Sequence, residues 1–155
     1  MNESDLLIVF AEIAVAIAGF SGIVATFQLR DGQVPRRSVL AGLGYIINAS
    51  FGAVYLSLLP LVLHFFGLSD SLIWTITSWH FAVLPLLFIY LFNRDTRGIA
   101  RSKGHRAMHL TVQCICIFAA GMNLLNAVGV VFHHEPGPVL LGLVIGLGTA
   151  ANLFS

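Results

Sequence analysis

Five long apolar runs alternate with short polar connections along the chain. The first run covers residues 5–27 and ends at the polar segment 28–32. A helix needs about 20 apolar residues to cross the hydrocarbon core of a bilayer. On this criterion the pattern predicts five transmembrane helices, over residues 5–27, 38–66, 71–92, 107–132 and 138–155. The last run is the shortest of the five and is marginal in length.

Composition identifies lipid as the solvent of these helices. The 155 residues are 57% hydrophobic and only 10% charged, with a mean hydropathy of +0.90, whereas soluble domains carry about 25% charged residues. The N-terminus lacks the positive segment of a signal peptide, so we expect the first run to remain as a helix. We therefore predict one all-α integral membrane domain over residues 1–155, folded as a compact bundle of five transmembrane helices.

The basic residues are distributed unevenly among the connections. All eight lysines and arginines lie in two connections, the first–second and the third–fourth: Arg30, Arg36, Arg37, Arg94, Arg97, Arg101, Lys103 and Arg106. Because basic connections stay in the cytoplasm, five spans predict an outside N-terminus and a cytoplasmic C-terminus. A bacterial inner membrane or a plasma membrane is the expected location. So few basic residues exclude a nucleic-acid interface.

One carboxylate, Glu12, lies inside the first apolar run. Counted from the outer boundary it is seven residues deep, roughly 10 Å at 1.5 Å per residue. Four other polar residues fall between roughly 9 and 14 Å from the same boundary by the same count. They are Tyr55, His80, Asn123 and Asn126. The sequence thus predicts an intramembrane polar layer with contributions from four helices.

Two functions fit such a layer. In the first, Glu12 lines a hydrated path for a cation or a proton, because ionisable residues inside a membrane are rare and mark such paths. His80, Tyr55, Asn123 and Asn126 would then coordinate or relay the ion. In the second, the carboxyl group is protonated or hydrogen-bonded and fastens helices together. The direction in which Glu12 points decides between them.

Small residues recur at helical spacing on three of the predicted helices. Ala14, Ala18 and Gly22 lie in one stripe on the first helix, Gly44 and Gly52 on the second, and Gly142 and Gly146 form a GxxxG pair on the fifth. Small residues let helix backbones approach closely. The contact is either within one bundle or between copies, and we expect a homo-oligomer or a larger membrane complex.

Metal and redox chemistry have little support. Cys114 and Cys116 are two positions apart, so on a helix they point in opposite directions and cannot share a metal. His133, His134 and Glu135 are weak candidates for metal ligands in the last connection. We expect no cofactor and no enzymatic activity, because no nucleophile–base pair is present. Trp74 and Tyr90 are expected to anchor the third helix at the membrane interfaces.

These patterns predict a small oligomeric membrane protein whose polar layer serves cation or proton passage, with Glu12 as the charged site. The alternative is a non-transporting accessory or scaffold subunit of a larger membrane complex.

Overall fold

The structure is a computed structural model that describes residues 2–30, 37–95 and 103–152. Within these residues the chain forms five α-helices and no strand, as predicted. They are α1 (Glu3–Arg30), α2 (Arg37–Phe65), α3 (Asp70–Asp95), α4 (Lys103–Val128) and α5 (Gly137–Asn152). Arg36, Arg97 and Arg101 of the basic connections, and the last three residues of the predicted fifth span, lie outside the described residues.

The first four helices are long and apolar enough to cross a membrane. Their outward surfaces carry large apolar side chains, such as Phe20, Phe51 and Phe118, each more than half exposed. In water such surfaces would be costly, whereas in lipid they meet a solvent as apolar as themselves. The chain is therefore a multi-pass membrane protein. The fifth helix is described over 16 residues, Gly137–Asn152.

The helices form a bundle in which α5 is central. Among the described residues α5 contacts all four other helices, whereas α1 contacts α2 and α5 but neither α3 nor α4. The core is built from small and branched side chains, including Ala14 and Val139, which are completely buried. Trp74 belongs to the same core at 8% exposure, so its expected role as an interface anchor was wrong. Tyr90 is exposed.

Helix α4 ends at Val128, four residues earlier than the sequence pattern suggested. Gly129 adopts a φ of 74°, and two backbone hydrogen bonds close the helix. Gly129 N donates to Asn126 O at 3.0 Å, and Val130 N donates to Leu125 O at 3.2 Å. This is the Schellman arrangement that ends many helices at a glycine. The apolar residues 130–132 hid this stop in the sequence.

The connection between α4 and α5 (residues 129–136) lies partway along α3. Two contacts with α3 set its level: His134 of the connection reaches Thr75, and Asn126, near the end of α4, reaches Ser78. Ser78 is eight residues, or about 12 Å, along α3 from Asp70. Since α5 starts at this level, its length of about 24 Å reaches roughly the far end of α3. The fifth helix therefore begins partway along the bundle.

Glycines and alanines lie at several helix contacts within this bundle. A Cβ atom on Gly142 would fall 2.5 Å from the ring of Phe81, and one on Gly52 would fall 3.2 Å from the ring of Phe88. These two glycines therefore admit an aromatic ring from α3. Ala14 is fully buried and Ala18 half-buried. A Cβ on Gly22, Gly44 or Gly146 would meet no atom within 4 Å.

Candidate functional site: an intramembrane polar layer

Glu12 points away from the bundle. It is exposed, and Ala14, two residues further along α1, is completely buried. Two positions on a helix differ by about 200°, so the two side chains point to opposite sides. Among the described residues Glu12 takes part in no hydrogen bond and no ion pair. Nine residues into α1, its carboxyl group is about 14 Å from the start of the helix.

On the outward side of α1 the branched residues Ile8, Val9 and Val15 lie within one turn of Glu12, and the small residues are Ala16 and Gly19. Ala16 and Gly19 follow at four and seven positions, Ile23 at eleven, and all are exposed. We call these four residues, Glu12, Ala16, Gly19 and Ile23, the α1 outer face. A Cβ on Gly19 would meet no atom within 4 Å. The α1 outer face therefore combines one carboxyl group with two small residues that follow it, at which the backbone of another helix could come close.

Tyr55 and His80 are in contact across α2 and α3. Their ring centroids are 5.8 Å apart at an interplanar angle of 59°. His80 Nδ1 lies 2.8 Å from the backbone oxygen of Ile76, and because a carbonyl can only accept, Nδ1 carries the proton. In the neutral ring Nε2 is then an acceptor. Tyr55 is 44% exposed, and its hydroxyl has no hydrogen-bond partner among the described residues.

Asn126 connects α3, α4 and the chain segment that leads into α5. Its Nδ2 donates to Ser78 Oγ at 2.8 Å and to Glu135 O at 2.8 Å, and its Oδ1 accepts from Glu135 N at 3.1 Å. The side chain is completely buried. Irregular backbone at membrane depth requires such partners, because lipid offers none. Asn126 therefore satisfies the backbone of the connection.

Asn123 has a similar role one turn earlier. Its Nδ2 donates to Ala119 O at 3.0 Å and to Pro138 O at 3.1 Å, which joins α4 to the first turn of α5. Its Oδ1 is buried and has no hydrogen-bond partner among the described residues. Both asparagines thus contact α5 or the segment before it rather than Glu12.

The connection itself contains the three weak candidates for metal ligands. His133 and His134 have φ values of 51° and 65°, in the left-handed region that non-glycine residues rarely adopt. Thr75 Oγ1 donates to Ser71 O at 2.7 Å, so in its 2.8 Å contact with His134 Nδ1 it accepts. His134 is thus engaged with α3. No group of three potential metal ligands occurs within the described residues.

The structure divides the predicted layer into two parts. Tyr55 and His80 are in contact, and Asn126 binds Ser78, two residues from His80. Glu12, in contrast, lies on α1, which contacts neither α3 nor α4 among the described residues. One protomer therefore does not bring the carboxyl group to the histidine or the asparagines.

A cavity of about 80 Å³ lies further along the bundle, between α2, α3, α4 and α5. Its wall is mainly apolar and includes Gly52, Phe88 and Gly146. Three polar side chains reach it: Tyr45 and Cys116, which interact with each other, and Thr149, whose Oγ1 donates to Ile145 O at 2.7 Å. Such a wall is poorly suited to holding an ion, because it leaves few unsatisfied polar groups.

The hydrogen-bond partners of the predicted polar residues could not be identified from the sequence. Thr75 and Ser78 were hidden among apolar residues of α3, although they lie three positions apart and thus on one side of the helix. The pairing of Tyr45 with Cys116 gave no sequence signal, because it joins two helices that are far apart along the chain.

Comparison with protein-family models, with curated proteins and with solved structures finds no match to this chain.

Proposed function

We propose that the protein is a non-enzymatic membrane subunit that assembles with another membrane-spanning chain through the α1 outer face. The observation that carries the proposal is the outward direction of Glu12 at membrane depth. A carboxylate at the centre of a bilayer costs at least about 2.5–3.5 kcal/mol. A protein partner that supplies a hydrogen-bond donor removes much of that cost, whereas lipid cannot. Ala16 and Gly19 leave room for the partner helix.

The proposed orientation has an outside N-terminus and both basic connections in the cytoplasm of a plasma or bacterial inner membrane. This orientation requires five membrane spans, and the level at which α5 begins supports α5 as the fifth span. With its first turn about 12 Å below the start of α3, a helix of 16 residues is long enough to reach the opposite side.

Ion or proton passage is the second candidate, and we place it between chains rather than within one. Two observations favour this location: Glu12 and His80 are ionisable groups at similar depth, and the polar atoms of Asn126 are already used by the connection. Reconstitution in liposomes tests it. If the protein passes ions, the wild type should show a proton or cation flux that Glu12→Gln abolishes. If it is a subunit without transport, neither the wild type nor the variant should show a flux.

The size of the complex in native membranes tests assembly. After mild solubilisation we expect a complex larger than one chain on a native gel. Glu12→Leu should shift it to smaller species, because leucine cannot form the polar contact, whereas Glu12→Gln, which still hydrogen-bonds, should retain most of it. Glu3→Gln is the matched control, since Glu3 lies in the exposed first turn of the same helix. A complex that is unchanged in Glu12→Leu would contradict the proposal.

A further inference from the structure

We infer that the chain bound at the α1 outer face is a second copy of this protein, which presents its Tyr55–His80 pair to Glu12. The inference rests on the proposed function and names the partner of the same contact. Within one copy Glu12 makes no hydrogen bond with Tyr55 among the described residues, and α1 does not contact α3, which carries His80. The polar site is therefore complete only when Glu12 and the pair come from neighbouring copies.

The three residues match in depth. Glu12 is nine residues from the start of α1, Tyr55 is ten from the end of α2, and His80 is ten from the start of α3. These three helix ends lie on the same side of the bundle, because neighbouring helices run in opposite directions. All three side chains are therefore about 14–15 Å from that side. Copies that share one orientation in a membrane place these groups at the same level.

The hydrogen-bonding chemistry is complementary. The Tyr55 hydroxyl is a donor without a partner among the described residues, and Nε2 of a neutral His80 is an acceptor because Nδ1 donates to Ile76 O. A protonated Glu12 can accept from the hydroxyl and donate to Nε2 at the same time, which satisfies all three groups. The ring centroids of Tyr55 and His80 are 5.8 Å apart, so the two rings lie side by side.

This pairing makes the interface heterologous, because α1 of one copy meets α2 and α3 of the next. Repeated around an axis perpendicular to the membrane, such a contact closes into a ring. A symmetric dimer through α1 would instead place two Glu12 carboxyl groups together without the Tyr55 donor. The complementary groups favour the ring.

Cysteine cross-linking between differently tagged copies distinguishes these arrangements. In a background with Cys114→Ser and Cys116→Ser, one copy carries Ala16→Cys and the other Phe51→Cys, one turn below Glu12 and Tyr55 respectively. Phe51 is 64% exposed. We expect this pair to cross-link at least severalfold more than Ala16→Cys with Phe65→Cys. Phe65 lies about 21 Å from Phe51 along α2 and serves as the depth control.

The outcomes distinguish this inference from the proposed function on which it rests. Cross-links only between two copies of Ala16→Cys would overturn the ring, and no cross-link between copies would overturn the second copy as partner. In either case a large complex that depends on Glu12 would leave the proposed function standing.

Independently, Tyr55→Phe should reduce the assembled fraction about threefold, which is the effect of an average hydrogen bond in a membrane. Tyr90→Phe, which changes an exposed tyrosine elsewhere on α3, should not reduce it. Equal effects of the two would also overturn the inference.

Discussion

Individual polar residues of this protein differ in function according to where they point, not according to how deep they lie. Asn126 and Glu12 were predicted in one layer from their depth alone. Asn126 is completely buried and satisfies a backbone segment, whereas Glu12 is exposed on α1, which does not contact α4 among the described residues. Depth follows from counting residues, but direction depends on which neighbouring helix covers each side. The sequence alone does not contain that information.

The role of Asn126 gives the first prediction. Asn126→Leu keeps the side-chain volume but leaves Glu135 N and Ser78 Oγ without their partner. An unsatisfied buried polar group costs about 1–3 kcal/mol, so the free energy of unfolding in detergent should fall by at least that amount. Asn48→Leu on the exposed side of α2 is the matched control and should have little effect. Equal stability of the two variants would refute the role given to Asn126.

The two glycines of the GxxxG pair on α5 are predicted to differ. A methyl group on Gly142 meets the Phe81 ring, while one on Gly146 meets nothing within 4 Å. Gly142→Ala should therefore lower stability by about 1–3 kcal/mol, as overpacking does. Gly146→Ala should be neutral or slightly stabilising, because alanine favours the helix. Thermal unfolding of the two variants in detergent measures the difference, and the reverse order would contradict the assigned contact.

At the scale of elements, all five helices could be predicted from the sequence, but the two ends of α4 could not, since each lies four residues before its predicted position. Apolar periodicity reports burial or contact with lipid, and residues 130–132 are apolar without being helical. The stop at Val128 depends on a left-handed glycine and on the ring of His134, which comes from the other end of the connection. Such a contact between separated residues leaves no local signature.

Gly129 is thus expected to tolerate substitution worse than Gly67, although both have φ near 74°. Gly67→Ala incurs only the strain of the left-handed conformation, about 1–2 kcal/mol. Gly129→Ala incurs the same strain and also a contact of 2.7 Å with His134 Nε2. Its loss in the free energy of unfolding should exceed that of Gly67→Ala by roughly 1–3 kcal/mol. If Gly129→Ala and Gly67→Ala lowered the free energy of unfolding by similar amounts, His134 would be able to move aside at little cost, contrary to this expectation.

The level at which α5 begins gives a prediction about topology. If α5 completes a fifth span, reporter fusions at the two ends of the chain should report opposite sides of the membrane, with the N-terminus outside. The asymmetry of basic residues predicts the same orientation independently. Reporters on the same side would mean four or six spans and would refute the five-span arrangement.

At the scale of the whole molecule, membrane location could be predicted from composition, but the proposed assembly surface could not. The small-residue stripes suggested helix contacts without saying which were internal. The fold assigns Ala14, Gly52 and Gly142 to contacts inside one bundle. The α1 outer face, with Ala16 and Gly19 beside the carboxyl group, remains for a partner. Neither of these two small residues belonged to the predicted set, because their importance depends on the outward direction of Glu12.

Site-specific photo-crosslinking in native membranes tests most directly whether protein covers the α1 outer face. A photo-reactive residue replaces Ala16 in one variant and Phe118, exposed on the lipid side of α4, in the control. The account predicts that the residue at position 16 forms an adduct with another polypeptide chain, seen as a band of higher mass, while the control reacts mainly with lipid. Lipid adducts alone at position 16 would mean that Glu12 faces the bilayer without a partner and would contradict the account.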